Sequence, residues 1–261
     1  MNHAPQRLTL PDRQLAYQQR IATSENRHRA GLFFMGGFAS DMTGTKAAFL
    51  DERCSAAGLA YTRFDYRGHG ASSGRFDEGC IGDWLDDTLK VFDALTSGKQ
   101  VLIGSSMGGW IGLLLAKARP ERVAAFVGVA AAPDFTEDLI RPTMSPEQTE
   151  AMERDGLFYE QSAPPEGQPD ERQPITKHLM EDGINQLVLR NELRIDAPVR
   201  LLQGQRDADV PWQTALRLAE HIEQPDVRVT LIKDGDHRLS REQDLELLWQ
   251  TVMSLREGLL G

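Results

Sequence analysis

The stretch VLIGSSMGGW, residues 101–110, places two serines between glycines directly after an apolar run. Its glycines fit the pattern G-x-S-x-G only in the register 104–108, which selects Ser106 as the central residue. This pattern predicts a sharp strand-to-helix turn with a strained backbone at Ser106 and its hydroxyl at the tip. Ser105 then serves as a structural hydroxyl at the strand end. The alternative is a glycine-rich turn with no catalytic role, and residues elsewhere in the chain must distinguish the two.

Around this turn, short apolar or β-branched runs alternate with helical patterns, which is typical of α/β proteins with a mostly parallel central sheet and helices on both faces. Strands are predicted at Leu15–Ile21, Gly31–Met35, Ala60–Asp65, Val101–Gly104, Val123–Ala130, Val199–Gln203 and Val227–Ile232. Helices are predicted at Lys46–Ala57, Ile81–Thr96, Met107–Ala118, Trp212–Ile222 and Arg241–Leu255. The segment RLTLPDRQLAYQQRIA predicts an antiparallel strand pair that leads into the sheet.

Residues 134–196 interrupt this alternation, because they are too many for a plain connection in a compact domain. Within them, SPEQTEAMERDG predicts a helix with Ser145 as N-cap, Pro146 in the first turn and Gly156 as the stop. ITKHLMEDGINQLVLRNE predicts one or two further helices. We interpret residues 134–196 as a cap inserted into a core formed by residues 1–133 and 197–261. A disordered insert is the alternative, because SAPPEGQPDERQP is rich in proline and polar residues.

Composition narrows the class of protein. A formal net charge of -10 and a pI near 5.1 argue against binding to nucleic acid or to an anionic membrane surface. The two cysteines, Cys54 and Cys80, have no metal-like or redox-like spacing. The sequence shows no export signal and no apolar run long enough to span a membrane. We therefore expect a cytoplasmic protein, whose oligomeric state is left open.

A serine hydroxyl becomes a good nucleophile when a base takes its proton, and a carboxylate orients that base. Asp207 follows a predicted strand in GQRDADVPW, and His237 lies in the loop after the next strand, in DGDHRLS. Both therefore lie with Ser106 at the carboxyl edge of the sheet, where such sheets bind ligands. Asp209 could replace Asp207 as the acid, but the D-x-x-V-P frame favours Asp207. Asp236, beside His237, is expected to be solvated.

The motifs FFMGGFASDMTGTKAAF, RFDYRGHGASSG, GSSMGGWIGLLLA, GQRDADVPW and DGDHRLS resemble, in this order, those of the α/β-hydrolase family over nearly the whole chain. The triad order Ser106, Asp207, His237 is also the one that this fold uses. More narrowly, MTGTKA, GSSMGGW and DHR resemble the subgroup that contains a mitochondrial palmitoyl-protein thioesterase and acyl-glucuronide esterase. The resemblance implies a serine hydrolase with a catalytic triad.

By the same resemblance, the backbone N–H groups of Phe38 and Met107 form the oxyanion hole. The chain departs from the family at Gly36, where a histidine often props the loop, which puts the rigidity of the loop in doubt. His69, in the RFDYRGHG motif, is expected to shape its loop rather than act as a base.

For the substrate, Trp110 and Trp212 are candidates to line an acyl pocket, although a core role for both is the alternative. Met144 and Phe158, with Leu139 and Leu157, are candidates for an acyl-binding wall supplied by the cap. No cofactor is expected, and no cluster of histidine, cysteine and acidic residues has metal-ligand spacing.

These observations predict hydrolysis of a carboxylic ester or thioester through an acyl-enzyme. The substrate is a small acyl ester or thioester, or an acylated protein. A general carboxylesterase or a monoacylglycerol-type lipase would share the catalytic residues. A receptor that uses the same fold without catalysis is the alternative from another class.

Overall fold

The computed structural model describes residues 4–159 and 172–258. Its strands are β1 Gln6–Thr9, β2 Gln14–Arg20, β3 Gly31–Met35, β4 Tyr61–Phe64, β5 Gln100–Ser105, β6 Val123–Val129, β7 Leu157–Phe158, β8 Ile175–Thr176, β9 Val199–Gly204 and β10 Val227–Ile232. Its α-helices are α1 Thr45–Ala57, α2 Ile81–Leu95, α3 Met107–Ala118, α4 Pro146–Asp155, α5 Lys177–Asn185, α6 Gln213–His221 and α7 Glu242–Gly258. The predicted strands and helices all form, with ends within one residue except at α7, which continues beyond the predicted Leu255.

The main sheet has the strand order β1-β2-β4-β3-β5-β6-β9-β10. The leading pair β1–β2 is antiparallel, as predicted, and β2 is also antiparallel to β4. From β4 to β10 all neighbours are parallel. The carboxyl ends of β5, β9 and β10 therefore meet at one edge, and the loops that follow them can share a site.

Helices cover both faces of the sheet because alternate residues of the buried strands point to opposite sides. On β5, Leu102 packs in the cluster that contains residues of α2, α3 and α6, whereas Val101 and Ile103 pack with α1 and α7. Helix α3 is buried almost along its whole length and lies directly against β5. Within the described residues, none of the helices combines the length and apolar composition that a membrane span requires.

The segment between β6 and β9 carries α4, the short antiparallel pair β7–β8, and α5. Helix α4 begins and ends as predicted: Ser145 forms a reciprocal capping box with Gln148, and Gly156 ends the helix in the left-handed conformation. Within ITKHLMEDGINQLVLRNE, the first two residues form β8 and a single helix follows, α5. Much of the proline-rich stretch, on which the prediction of a disordered insert rests, lies in residues 160–171, outside the described residues.

Apolar residues of this segment join the cluster on the α2–α3 side of the sheet. They include Ile140, Phe158, Ile175, Leu179 and Met180. The described parts of residues 134–196 therefore pack on the helices that begin at the carboxyl edge of the sheet. The division into core and cap stays a prediction.

Candidate active site

The turn between β5 and α3 has the strain that the glycine pattern predicts. Ser106 has φ 53° and ψ −120°, a conformation that residues with side chains rarely adopt. Both flanking glycines are required by close backbone approach. A Cβ on Gly104 would lie 2.3 Å from the carbonyl oxygen of Gly108, and one on Gly108 would lie 2.2 Å from that of Met35. The bend therefore exposes one hydroxyl at a tightly packed corner.

The three predicted catalytic side chains form a continuous chain of contacts. Nε2 of His237 lies 3.1 Å from Oγ of Ser106, and Nδ1 of His237 lies 2.9 Å from Oδ2 of Asp207. A carboxylate only accepts hydrogen bonds, so this contact places the imidazole proton on Nδ1 and leaves the Nε2 lone pair facing the hydroxyl. The arrangement can take a proton from Ser106.

The Asp207 side chain is fully buried, which suits an orienting carboxylate. Its Oδ1 accepts hydrogen bonds from the backbone N–H groups of Val210 at 2.8 Å and Asp209 at 2.9 Å. Burial on its own would raise the pKa of Asp207, but the hydrogen bonds from His237 and from these amides outweigh it, and the pKa lies below its ordinary value. Asp209 is exposed, and the contact with the imidazole is made by Asp207.

The two predicted oxyanion donors belong to segments that adjoin the serine. Met107 is the first residue of α3, so its N–H has no acceptor within the helix. Phe38 follows Gly37, where a Cβ would lie 3.4 Å from the Cβ of Ser106. The Tyr66 hydroxyl donates to the Gly36 carbonyl at 3.2 Å, which ties down the loop that lacks the family's usual histidine.

His69 is separated from this site by its surroundings. It is 3% exposed, and its ring packs against Tyr66, Phe76 and Trp84. Nδ1 of His69 lies 3.2 Å from the carbonyl oxygen of Arg67, and burial lowers the pKa of the imidazole. These contacts are those of a loop-shaping residue. Asp236 is exposed, as expected.

The candidate substrate residues differ in their surroundings. Trp110 is fully buried, and its indole N–H donates to the Gln186 carbonyl at 2.9 Å, which links α3 to the inserted segment. These are the contacts of a core residue. Trp212 is half-buried just before α6. Phe158 is buried, and Met144 is partly buried against the same cluster.

No pattern in the sequence indicated the roles of two buried residues, one beside the triad and one in the inserted segment. Gln203, buried at the end of β9, donates from Nε2 to Oδ2 of Asp207 at 2.8 Å. Asp134, read only as a segment boundary, accepts hydrogen bonds from the N–H groups of Val188 at 2.8 Å and Leu189 at 2.9 Å. It therefore clamps the end of the inserted segment to its beginning. Both roles depend on contacts that no local pattern records.

Possible metal-ligating side chains also come together from distant parts of the chain. Among the described residues, Cys80, Asp83 and His178 offer ligand atoms within 4.8 Å of one another, as do Asp207, Asp209 and His237. In the second group, Asp207 and His237 already contact each other in the chain to Ser106. The first group joins the start of α2 to α5, a juxtaposition that spacing in the sequence cannot reveal.

Known proteins resemble this chain in sequence. The sequence profile of the alpha/beta hydrolase fold matches residues 33–149. The mitochondrial palmitoyl-protein thioesterase ABHD10 of Mus musculus is 37% identical over 231 residues, which cover 88% of this chain and 76% of the relative. The chain belongs to the α/β-hydrolase family. The predicted fold and family are therefore confirmed.

Solved structures show that the similarity extends over nearly the whole chain. A putative hydrolase from Agrobacterium vitis S4 has a TM-score of 0.88 at 40% identity and covers 97% of this chain and 98% of its own. Alpha/beta hydrolase domain-containing protein 10 from mouse has a TM-score of 0.85 at 34% identity, covering 98% and 100%. The chain is thus a hydrolase, and the similarity supports ester or thioester hydrolysis.

Proposed function

We propose that this hydrolase cleaves acyl esters or thioesters through an acyl-enzyme on Ser106, with His237 as base and Asp207 as the orienting acid. The observation that carries the proposal is the unbroken contact from Ser106 through His237 to Asp207, at 3.1 Å and 2.9 Å. The strained backbone of Ser106 supports the same role, because it presents the hydroxyl at the tip of the turn.

In acylation, Nε2 of His237 takes the hydroxyl proton of Ser106 while Oγ forms a bond to the acyl carbon. The bond from that carbon to the leaving oxygen or sulfur breaks, and the imidazolium returns the proton to the leaving alcohol or thiol. Water then attacks the acyl-enzyme with His237 again as base, which releases the carboxylic acid and regenerates Ser106. Asp207 stabilises the imidazolium in both steps.

The negative charge that develops on the carbonyl oxygen requires donors that are already in place. We propose the backbone N–H groups of Phe38 and Met107 for this oxyanion hole. Support comes from the packing of the Gly37 backbone against Ser106 and from the place of Met107 at the start of α3.

For the substrate, we propose an acyl thioester or ester whose acyl chain lies against the inserted segment, residues 134–196, acting as a cap. Met144 and Phe158, which belong to the same apolar cluster as Trp110, and the half-buried Trp212 would supply apolar surface. The mouse and human relatives are named palmitoyl-protein thioesterases, which favours an acylated protein as substrate. An acyl glucuronide is the small-molecule form of the proposal, and a general carboxylesterase or monoacylglycerol-type lipase is the alternative.

The cellular compartment belongs to the proposal as well. The acidic composition and the cysteines, which form no disulfide with each other and are both buried, support the cytoplasm. The mouse and human relatives are named mitochondrial. Fractionation of the native host, with immunodetection of the full-length protein, separates these two locations.

The test has two parts. Labelling by a fluorophosphonate probe reports an activated serine, and its complete absence in folded wild-type protein would favour the non-catalytic receptor. A matched panel of para-nitrophenyl esters and acyl thioesters then compares the leaving groups at one acyl length. Labelling without turnover of either class would contradict the proposed substrate.

A further inference from the structure

A cavity of about 250 Å³ adjoins the reacting residues but has no part in the mechanism described above. It lies between the loop after β3, the first turn of α1, the end of β5 and the loop that carries His237. Two of its lining residues, Ser105 and Arg238, are the direct chain neighbours of Ser106 and His237. The cavity therefore borders the chain segments that carry the nucleophile and the base.

Ser105 is the first indication that the cavity takes a ligand. The residue is 8% exposed, and it lies on β5 in alternation with Val101 and Ile103, which face the α1–α7 side. In the described part of the chain, its hydroxyl has no hydrogen-bond partner. Its oxygen is not among the fully enclosed polar atoms, so it can exchange hydrogen bonds with a molecule in the cavity. The expected role of Ser105 as a purely structural hydroxyl has no contact to support it.

The charge of the lining is the second indication. Lys46 and Arg238 are cations in a chain whose net charge is -10. Burial lowers the pKa of Lys46 to about 8, which still leaves the amine mostly protonated at neutral pH. Nζ of Lys46 donates to the Arg238 carbonyl, which holds the two residues together. Within residues 4–159 and 172–258, the Arg238 guanidinium has no hydrogen bond or ion pair of its own.

The N-terminus of helix α1 favours an anionic ligand, as the two cations do. Helix α1 runs for 13 residues from Thr45, and its first N–H groups, which have no acceptor within the helix, lie at the cavity wall. The opposing charge in the lining is Asp41, whose Oδ1 is held by the N–H and the hydroxyl of Thr43 at 2.6 Å each. The hydroxyl of Ser40 adds a further donor, whereas that of Ser240 donates to the Arg238 carbonyl at 3.0 Å.

Three sequence motifs converge on this cavity. MTGTKA supplies Thr45 and Lys46, GSSMGGW supplies Ser105, and DHR supplies Arg238. These are the stretches that narrow the resemblance to a subgroup of the family. From these motifs the proposed mechanism uses Ser106, Met107 and His237, whereas the residues that line the cavity have no part in it.

We propose that this cavity is an anion subsite, which binds a carboxylate or phosphate group carried on the leaving-group part of the substrate. On the other side of the loop after β3, the ring of Phe38 packs against Phe135 of the inserted segment. The acyl chain and the anion would therefore be recognised on opposite sides of Ser106. The proposal rests on ester or thioester hydrolysis as the proposed function. It narrows the substrates to those whose leaving alcohol or thiol also carries a carboxylate or phosphate group.

The experiment compares para-nitrophenyl butyrate with its analogue that carries a carboxylate meta to the ester oxygen. Wild-type enzyme should prefer the carboxylated ester by about tenfold in kcat/KM, and this preference should fall towards one in Arg238→Gln and in Ser105→Ala. Arg154→Gln, on the exposed face of α4, is the matched control and should keep the wild-type preference.

Inhibition by free anions shows which charged group the cavity binds. Inorganic phosphate and benzoate should compete with the neutral ester in wild type and lose this effect in Arg238→Gln. Stronger inhibition by phosphate assigns a phosphorylated leaving group, and stronger inhibition by benzoate assigns a carboxylated one. An unchanged preference in both variants, or no competition by either anion, overturns the subsite. If neither ester is turned over, the proposed function fails instead, and calorimetric titration of wild type and Arg238→Gln with phosphate still decides the subsite.

Discussion

At the scale of single residues, neighbouring side chains of the same type have different surroundings because the backbone aims them differently. Ser105 ends β5 and points to the α1–α7 side, whereas Ser106, one residue later, has positive φ and faces His237. Glycines two residues before and after Ser106 permit this turn. The sequence alone therefore predicted which of the two serines occupies the strained turn.

The two serines give the first prediction. Ser106→Ala should lower kcat by on the order of 10⁴ to 10⁶, because the members of a triad act as a unit. Ser105→Ala should still be labelled by a fluorophosphonate probe, since Oγ of Ser106 keeps its contact with His237. Labelling gels and single-turnover kinetics measure both. Retained labelling of Ser106→Ala would show that another residue is the nucleophile.

A second prediction separates the two aspartates after β9. Asp207→Asn should lower kcat by about 10⁴, because an amide at this position favours the wrong imidazole tautomer. Asp209→Asn should have a much smaller effect, since in the described chain its exposed carboxylate forms no hydrogen bond with His237, and the backbone N–H that it gives to Asp207 is kept. Steady-state kinetics on a neutral ester checks both variants. Equal losses would assign the orienting role to the pair rather than to Asp207.

At the scale of elements, the sequence predicted the strands and helices well, because apolar alternation and capping residues are local signals. The capping box of α4 and the glycines around Ser106 are examples. Contacts between distant elements left no such signal. Nothing in the sequence around Gln203 indicates that its side chain donates to Asp207. The carbonyl that accepts from the Trp110 indole lies 76 residues away in the chain. Such contacts follow from packing and therefore require the structure.

The link between α3 and the inserted segment gives a third prediction. Trp110→Phe should lower the free energy of unfolding by about 1 to 3 kcal/mol, because it removes a buried donor and leaves the Gln186 carbonyl without it. The control is Trp249→Phe on α7, a partly buried tryptophan that packs in the other apolar cluster. Urea denaturation of both variants measures the difference. Equal losses would mean that the hydrogen bond contributes nothing beyond packing.

At the scale of the whole molecule, the surface around Ser106 is divided. One side carries the apolar inserted segment, and the other carries the cationic cavity beside α1. Replacing the segment by a short linker is the simplest test of the proposed cap, but the segment supplies Phe158, Leu179 and Met180 to the main apolar cluster. Its removal would expose that cluster, so single substitutions at partly buried positions test the cap more cleanly.

The fourth prediction concerns acyl chain length. If the inserted segment forms the acyl-binding wall, kcat/KM should rise about fourfold per methylene, the equivalent of about 0.8 kcal/mol, until the pocket ends. Binding that is equal in the ground and transition states lowers KM without raising kcat, so the trend should appear mainly in KM. A series of para-nitrophenyl esters of increasing length measures the slope, and a plateau marks the depth of the pocket.

The same series on variants assigns this slope to particular residues. Leu139→Ala and Met144→Ala, both partly buried in the inserted segment, should raise KM for long esters more than for short ones, because only a long chain reaches the wall. Leu216→Ala on α6, whose side chain is 43% exposed outside the segment, is the control and should keep the wild-type profile. Identical profiles in all three variants would contradict the cap as the specificity element. The slope would then have to come from core residues around Trp212, and the preference for long acyl groups would be a property of the hydrolase core itself.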